Sequence, residues 1–127
     1  MNPDRWQTKW CARCGRTIEW RKKWARDWVS IQYCSKTCKR TGLQKIDHEI
    51  ETSIIELLQK RSLGSTICPS EAARAVFPDS DWRFEMERVR QAARRLSRQS
   101  RIRIMQKGRG VDPDRARGPI RLKLKQN

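Results

Sequence analysis

Four of the five cysteines stand in two close pairs, Cys11-x2-Cys14 and Cys34-x3-Cys38, with 19 residues between Cys14 and Cys34. Thiolates paired this closely each supply one edge of a tetrahedron, the geometry zinc prefers. Gly15 follows the first pair, where a backbone turning sharply round a metal needs conformational freedom. The chemistry expected is one structural Zn2+ held by Cys11, Cys14, Cys34 and Cys38. Four thiolates close the coordination shell and leave no position for an activated water, so hydrolytic metal chemistry is excluded. Two disulfides are the alternative, but nothing else in the sequence points to an oxidising compartment. Other reactive groups are scarce. Cys68 is a lone thiol at the start of a predicted helix, His48 is the single histidine, and there is no phosphate-binding loop or carboxylate–nucleophile set. The expectation is therefore a binding protein and not an enzyme, with no small-molecule substrate.

The second chemistry-bearing feature is charge. The 127 residues carry 30 Lys and Arg against 14 Asp and Glu, a formal net charge of +16. Four metal-bound thiolates would bring this to roughly +14. A small protein so charged repels itself unless a polyanion neutralises it, and nucleic acid is the commonest one. The excess is uneven. Residues 1–45 have a net charge of +9, residues 46–80 of −3 and residues 81–127 of +10, which implies two separate basic surfaces. No apolar run is long enough to span a membrane. The opening MNPDRWQTKW lacks the apolar core and cleavage site of a secretory signal, so a cytoplasmic location, in association with nucleoid or ribosome, is expected.

The elements that position these groups follow from periodicity. Residues 1–9 read as a polar arm carrying Trp6. Trp20, Trp24 and Trp28 recur at i, i+4 and i+8, which predicts one helical face, with Arg21, Lys22 and Lys23 on the others. Those rings either pack on the cysteine knuckle as a miniature core or stand partly exposed for base stacking or a protein partner. Cys34 and Cys38 share a face at a helix start, so knuckle, insert and helix give a treble-clef layout. Residues 41–46 read as a linker. A helix with Asp47 as N-cap follows, bearing Ile46, Ile50, Ile54 and Leu57/Leu58. Thr66-Ile67 suggests a short strand, and Cys68-Pro69 opens a helix over 70–76.

A longer helix is predicted from residue 79 or 80 to residue 99, burying Trp82, Met86, Val89, Ala93 and Leu96. Arg83, Arg90, Arg94 and Arg98 gather on a neighbouring face, the arrangement of a recognition helix aimed at phosphates or guanine edges. A solvated face paired to Asp81, Glu85 and Glu87 is the plainer reading. The period then changes to two in SRIRIMQ and again in PIRLKL, which predicts a β-hairpin. The glycine-rich loop 107–118 between them would be a wing, with Lys107, Arg109, Arg115 and Arg117 along phosphates or a minor groove.

CARCGRTIEWRKKWARDWVSIQYCSKTCKR resembles a small family of uncharacterised bacterial four-cysteine finger domains. From Ile46 to Leu124, the ICPSEAAR, WR, QKG, VDP and GPIRL blocks resemble a second uncharacterised bacterial family, found fused to the first. The resemblance implies Cys11, Cys14, Cys34 and Cys38 as ligands and brings no known reaction. The fold expected is α+β: a treble-clef-like zinc finger over 1–45 and a winged-helix domain, three helices plus a β-hairpin, over 46–127. The function expected is nucleic-acid binding, DNA placed ahead of RNA. The alternative is a protein-interaction module on a ribosomal or transcriptional assembly.

Overall fold

The computed structural model describes residues 8–126, so Trp6 and most of the polar arm lie outside the described residues. The chain is a mixed α+β protein with two hydrophobic cores. The smaller core is built on a two-stranded antiparallel hairpin, β1 (Lys9–Trp10) against β2 (Thr17–Ile18), with Lys9 opposite Ile18. Cys11, Cys14, Ile18 and Trp28 are its buried members. Four side chains are too few to hold a module together without a metal or outside support.

Trp20, Trp24 and Trp28 do not share an α-helix. The segment forms two 3-10 turns, Lys22–Trp24 and Trp28–Ser30. Ten residues of helix would carry the chain about 15 Å away in a straight line, whereas it must return to bring the Cys34 Sγ within 3.5 Å of the Cys14 Sγ. The rings still converge. Trp28 is fully buried, and Trp24 stacks on it with centroids 6.3 Å apart and planes 19° apart. The short helix α1 (Lys36–Thr41) follows, with the Ser35 hydroxyl accepting from the Cys38 N–H at 3.1 Å as N-cap. Gly42, at φ 58°, ends it.

The larger core lies between three helices and a sheet. Helix α2 (Lys45–Gln59) buries Ile50, Ile54, Ile55 and Leu58. Its N-cap is Gln44 and not Asp47. Asp47 occupies the third helical position, and its carboxylate reaches back to accept from the Gln44 N–H at 2.9 Å. That capping box starts the helix a turn earlier than an Asp N-cap would. After β3 (Thr66–Ile67), helix α3 (Pro69–Val76) has its own box, with Glu71 accepting from the Cys68 N–H at 2.8 Å.

The long helix predicted from residue 79 or 80 is divided. Trp82–Glu85 is a 3-10 turn capped by Asp81, and α4 proper runs Met86–Arg98. Glu85, at φ −100° and ψ 2°, marks the change of winding. The tighter turn brings Trp82 back onto the core, beneath the Arg74 guanidinium of α3 at 5.3 Å. The buried face of α4 is Val89, Ala92, Ala93 and Leu96, each with no exposed surface. At roughly 1.5–3 kcal/mol per large aliphatic side chain buried, this core supplies the main driving force.

The sheet has the order β3-β6-β4-β5, all antiparallel, with β4 (Ile102–Gln106), β5 (Arg109–Gly110) and β6 (Arg121–Leu124). Ile102, Ile104 and Leu122 point inward. The predicted wing loop is shorter than its composition suggests. Lys107 at φ 51° and Gly108 at φ 78° form a two-residue turn that returns the chain as β5, as a right-twisted hairpin requires. Residues 111–120 then cross back to β6.

Candidate metal centre and basic surfaces

The four cysteines converge. Their sulfur atoms all lie within 4.8 Å of one another, with Cys14 to Cys34 at 3.5 Å and Cys34 to Cys38 at 3.7 Å. A tetrahedral site with metal–sulfur bonds of about 2.3 Å has edges of about 3.8 Å, so the set fits a single ion. Each ligand is placed by local structure. The Cys11 N–H donates to the Arg16 carbonyl at 2.8 Å, the Gly15 N–H donates to the Cys11 carbonyl at 3.0 Å, and the Cys14 N–H points at the Cys11 sulfur at 3.4 Å. Cys38 sits in the first turn of α1, and Cys34 immediately precedes its cap.

The closeness of the thiols also sets their proton affinities against one another. A hydrogen bond from Cys14, only partly offset by burial, holds the Cys11 thiol down to about 4. The same hydrogen bond, with burial, pushes Cys14 far up, and burial pushes Cys34 up. One thiolate forms at the expense of its neighbours, because several negative charges cannot share so small a volume. A metal ion, if held there, would neutralise them together.

Helix α4 grips this knuckle from the side. The Arg95 Nη1 donates to the Arg13 carbonyl at 2.5 Å, the Arg94 Nε to the Cys14 carbonyl at 2.6 Å, and the Arg98 Nε to the Gly15 carbonyl at 2.8 Å. Three consecutive carbonyls thus meet three guanidinium groups. Each arginine also meets a carboxylate: Arg94 with Glu87 at 2.8 Å, Arg95 with Glu51 at 2.7 Å and Arg98 with Asp114 at 2.8 Å. Gly15 makes the approach possible. It sits at φ 75°, and a Cβ there would fall 2.6 Å from the Arg94 Cβ and 2.8 Å from its backbone carbon.

Two carboxylates lock the two modules from either end. Asp47, without exposed surface, accepts from the Arg88 Nε at 2.8 Å and pairs with Arg13 at 3.3 Å. Burial alone would raise its pKa, but Arg88, the Gln44 N–H and Arg13 outweigh that and hold it below the usual carboxylate range. Asp114 accepts from the Thr17 N–H at 2.8 Å and the Thr17 hydroxyl at 2.5 Å. Burial opposes ionisation there too, and Thr17 and Arg98 overcome it.

The arginines predicted for a recognition helix are therefore placed differently from one another. Arg94 is buried, and Arg98 lies between Gly15, Thr17 and Asp114, so neither reaches solvent as a free cation. The apolar stripe of α4 faces the core, and the neighbouring face, which its sequence left open, packs on the finger. Arg90 donates to the Gly118 carbonyl at 3.2 Å. Arg83 stays exposed, 4.7 Å over the Trp82 ring and 3.5 Å from Asp81. Of the finger residues, Arg21, Lys22 and Lys23 are exposed, with Arg21 and Lys23 lying 5.4 Å and 5.3 Å over Trp24.

Three of the four residues predicted for a wing come together. Lys107, Arg109 and Arg117, with Arg121, line a cleft of about 900 Å3 whose other walls are Gln106, Val111, Pro119 and Ile120. No acidic side chain lines it. Arg115 lies apart, exposed and 3.8 Å from Asp112. Sequence reasoning gave no role to Arg121, Arg13, Arg95 or Asp114. Arg121 had a signal, since strand alternation places it outward; the partners of the other three are distant in sequence and left none.

Four clustered cysteines on a finger, gripped by a helical α+β module, define a two-module protein with a candidate metal centre. Residues 47–125 match the family described as "Protein of unknown function (DUF3253)", and the chain belongs to it. Residues 3–41 match a second family, "Uncharacterized protein conserved in bacteria (DUF2256)", and include all four cysteines. No curated protein matches the chain. Among the described residues, no helix is long and apolar enough to cross a membrane.

Proposed function

We propose that this is a nucleic-acid-binding protein, acting by binding and not by catalysis, with DNA ahead of RNA and a cytoplasmic location. The metal is one structural Zn2+, in keeping with the four-sulfur donor set. The finger is treble-clef-like, with ligands from a hairpin knuckle and a helix start. The second module is winged-helix-like: its order of helix, short strand, two helices and hairpin matches that plan. The observation that carries the functional reading is the wing cleft, where Lys107, Arg109, Arg117 and Arg121 converge with no acid among the lining residues. Such a concavity attracts phosphates, and its size is that of a binding site.

A salt titration of binding to labelled duplex tests the reading. The affinity should fall linearly with salt on logarithmic axes, and replacing Lys107, Arg109 and Arg117 together by Gln should reduce the slope by about 2–3. No binding at low salt, or binding indifferent to salt, overturns it. A groove of about 490 Å3 beside the metal centre, walled by Trp24 and Tyr33 with Arg21, Lys23, Lys36 and Lys39, supports the competing reading of an acidic protein partner. Partners retained on the immobilised protein after nuclease treatment, and lost with Trp24→Ala, would favour it.

A further inference from the structure

The outward face of the sheet is a second basic surface. Strands β4 and β6 turn Ile102, Ile104 and Leu122 into the core, so alternate residues face out. Arg103 stands directly opposite Lys123 on that face. One step along, the Lys125 N–H donates to the Arg101 carbonyl at 3.1 Å, so Arg101 and Lys125 continue the same row. None of these four side chains makes an ion pair or hydrogen bond among the described residues. Successive outward side chains on one strand are about 7 Å apart, and opposite ones about 5 Å. A recess of about 200 Å3, lined by Arg103, Lys123, Leu124 and Gln126, opens there.

Like charges directly opposite weaken a strand pair, and the fold gains nothing from two such pairs in succession. The same chain shows how it treats an arginine that serves the fold, as with Arg94, Arg95 and Arg98, whose every charge meets an acid. The sheet face has no such compensation among the described residues, and an external polyanion would supply it. We propose that the outward face of β4 and β6 is a phosphate-backbone site for the nucleic acid, reached from the wing cleft through Arg121. Arg121 is opposite Met105, lines the cleft, and is steadied by Thr66 of β3 at 3.0 Å and 3.1 Å. The occupant is a nucleic acid and not a lipid surface, because no large exposed apolar side chain stands on these strands to enter a bilayer. The site rests on the nucleic-acid reading above and extends it from the wing to the sheet.

The test uses the full metal-loaded chain, labelled duplex DNA, the corresponding single strand, and vesicles of phosphatidylserine. With Arg101, Arg103, Lys123 and Lys125 all changed to Gln, affinity for nucleic acid should fall at least about 100-fold at 0.1 M salt, and the salt slope by about 3–4. Lys123→Thr alone should weaken binding yet raise the Tm by about 1–5 °C, because it relieves the like-charge pair. An unchanged slope in the fourfold variant, while the wing variant weakens, removes the sheet site and leaves the functional reading standing. A chain that binds neither duplex nor single strand overturns both. Loss of vesicle binding with nucleic-acid binding intact would transfer the face to a membrane, and a lowered Tm for Lys123→Thr would mean that the residue serves the fold; either result overturns the proposal.

Discussion

On α4, Arg94, Arg95 and Arg98 end on carbonyl and carboxylate oxygens of the chain itself, while around the β4–β5 turn and the crossing to β6 Lys107, Arg109 and Arg117 are exposed to solvent. The two regions are close in composition and opposite in use. A guanidinium carries five donors in a fixed fork, so it can satisfy a turn of backbone and an acid together and be buried. Once buried and paired it adds little to the field outside. The bases free to meet a partner are thus fewer than the 30 Lys and Arg of the sequence, and they sit on the sheet and the cysteine-rich segment and not on the face of α4 that carries Arg94 and Arg98. Counting bases locates charge along a chain; only their partners tell which of them are free.

The sharpest way to break this comparison is to take away the knuckle that the arginines hold. Chelation, or Cys34→Ser, should release one metal ion per chain by mass spectrometry and unfold the finger, a loss on the order of 10 kcal/mol. Tryptophan near-UV dichroism should collapse, because Trp28 is buried against the sulfurs. If the signal persisted without metal, the arginine grip alone would be holding the knuckle.

Asp47→Ala should cost about 3–5 kcal/mol in urea unfolding, since it removes the fully buried carboxylate that Arg88 and Arg13 share and leaves the half-buried Arg88 with Glu85 as its one acidic neighbour. The milder Asp47→Asn tests the sign of the electrostatics. Asp47 and Asp114 have lowered pKa values, so their contribution is complete above the ordinary value of 3.8 and is lost as pH falls through the lower folded values. Asp47→Asn should therefore flatten the acid limb of the stability profile and be least harmful at the lowest pH. An unaltered profile would show that this carboxylate is not what joins the modules.

Gly15→Ala should cost about 2–4 kcal/mol, from a positive φ and a Cβ driven into α4. The smallest effects give the finest test. Arg94→Gln should lose about 1.5–3 kcal/mol of stability with no change in the salt slope of binding. Arg117→Gln should reverse the pattern, lowering the slope by about 0.9 and leaving the melting curve in place. Equal effects of both on binding would erase the distinction.

What was legible in the sequence was local. Cysteine spacing foretold the clustering of Cys11, Cys14, Cys34 and Cys38 because a turn and a helix start are both short. The apolar stripes of α2 and α4 and the alternation in β4 and β6 are equally short-ranged, and they mark real elements. The tryptophan repeat at 20, 24 and 28 misled because a helical period also arises when rings converge from two 3-10 turns. The β4–β5 turn hid inside a loop-like composition, since Lys107 takes a positive φ that its residue type does not advertise. The clasp had no signature at all. Arg94 and Cys14 are 80 positions apart, and the acceptors are backbone carbonyls, which every residue has.

That separation has a consequence for the chain as it is made. Cys38 completes the ligand set, yet Arg98 follows 60 positions later, and Asp114, which holds Thr17, later still. At roughly 5–20 residues per second, the finger waits about 3–12 s on the ribosome before its arginine cover is synthesised. During that interval the four cysteines stand without the arginine contacts that hold Arg13, Cys14 and Gly15 in the finished fold.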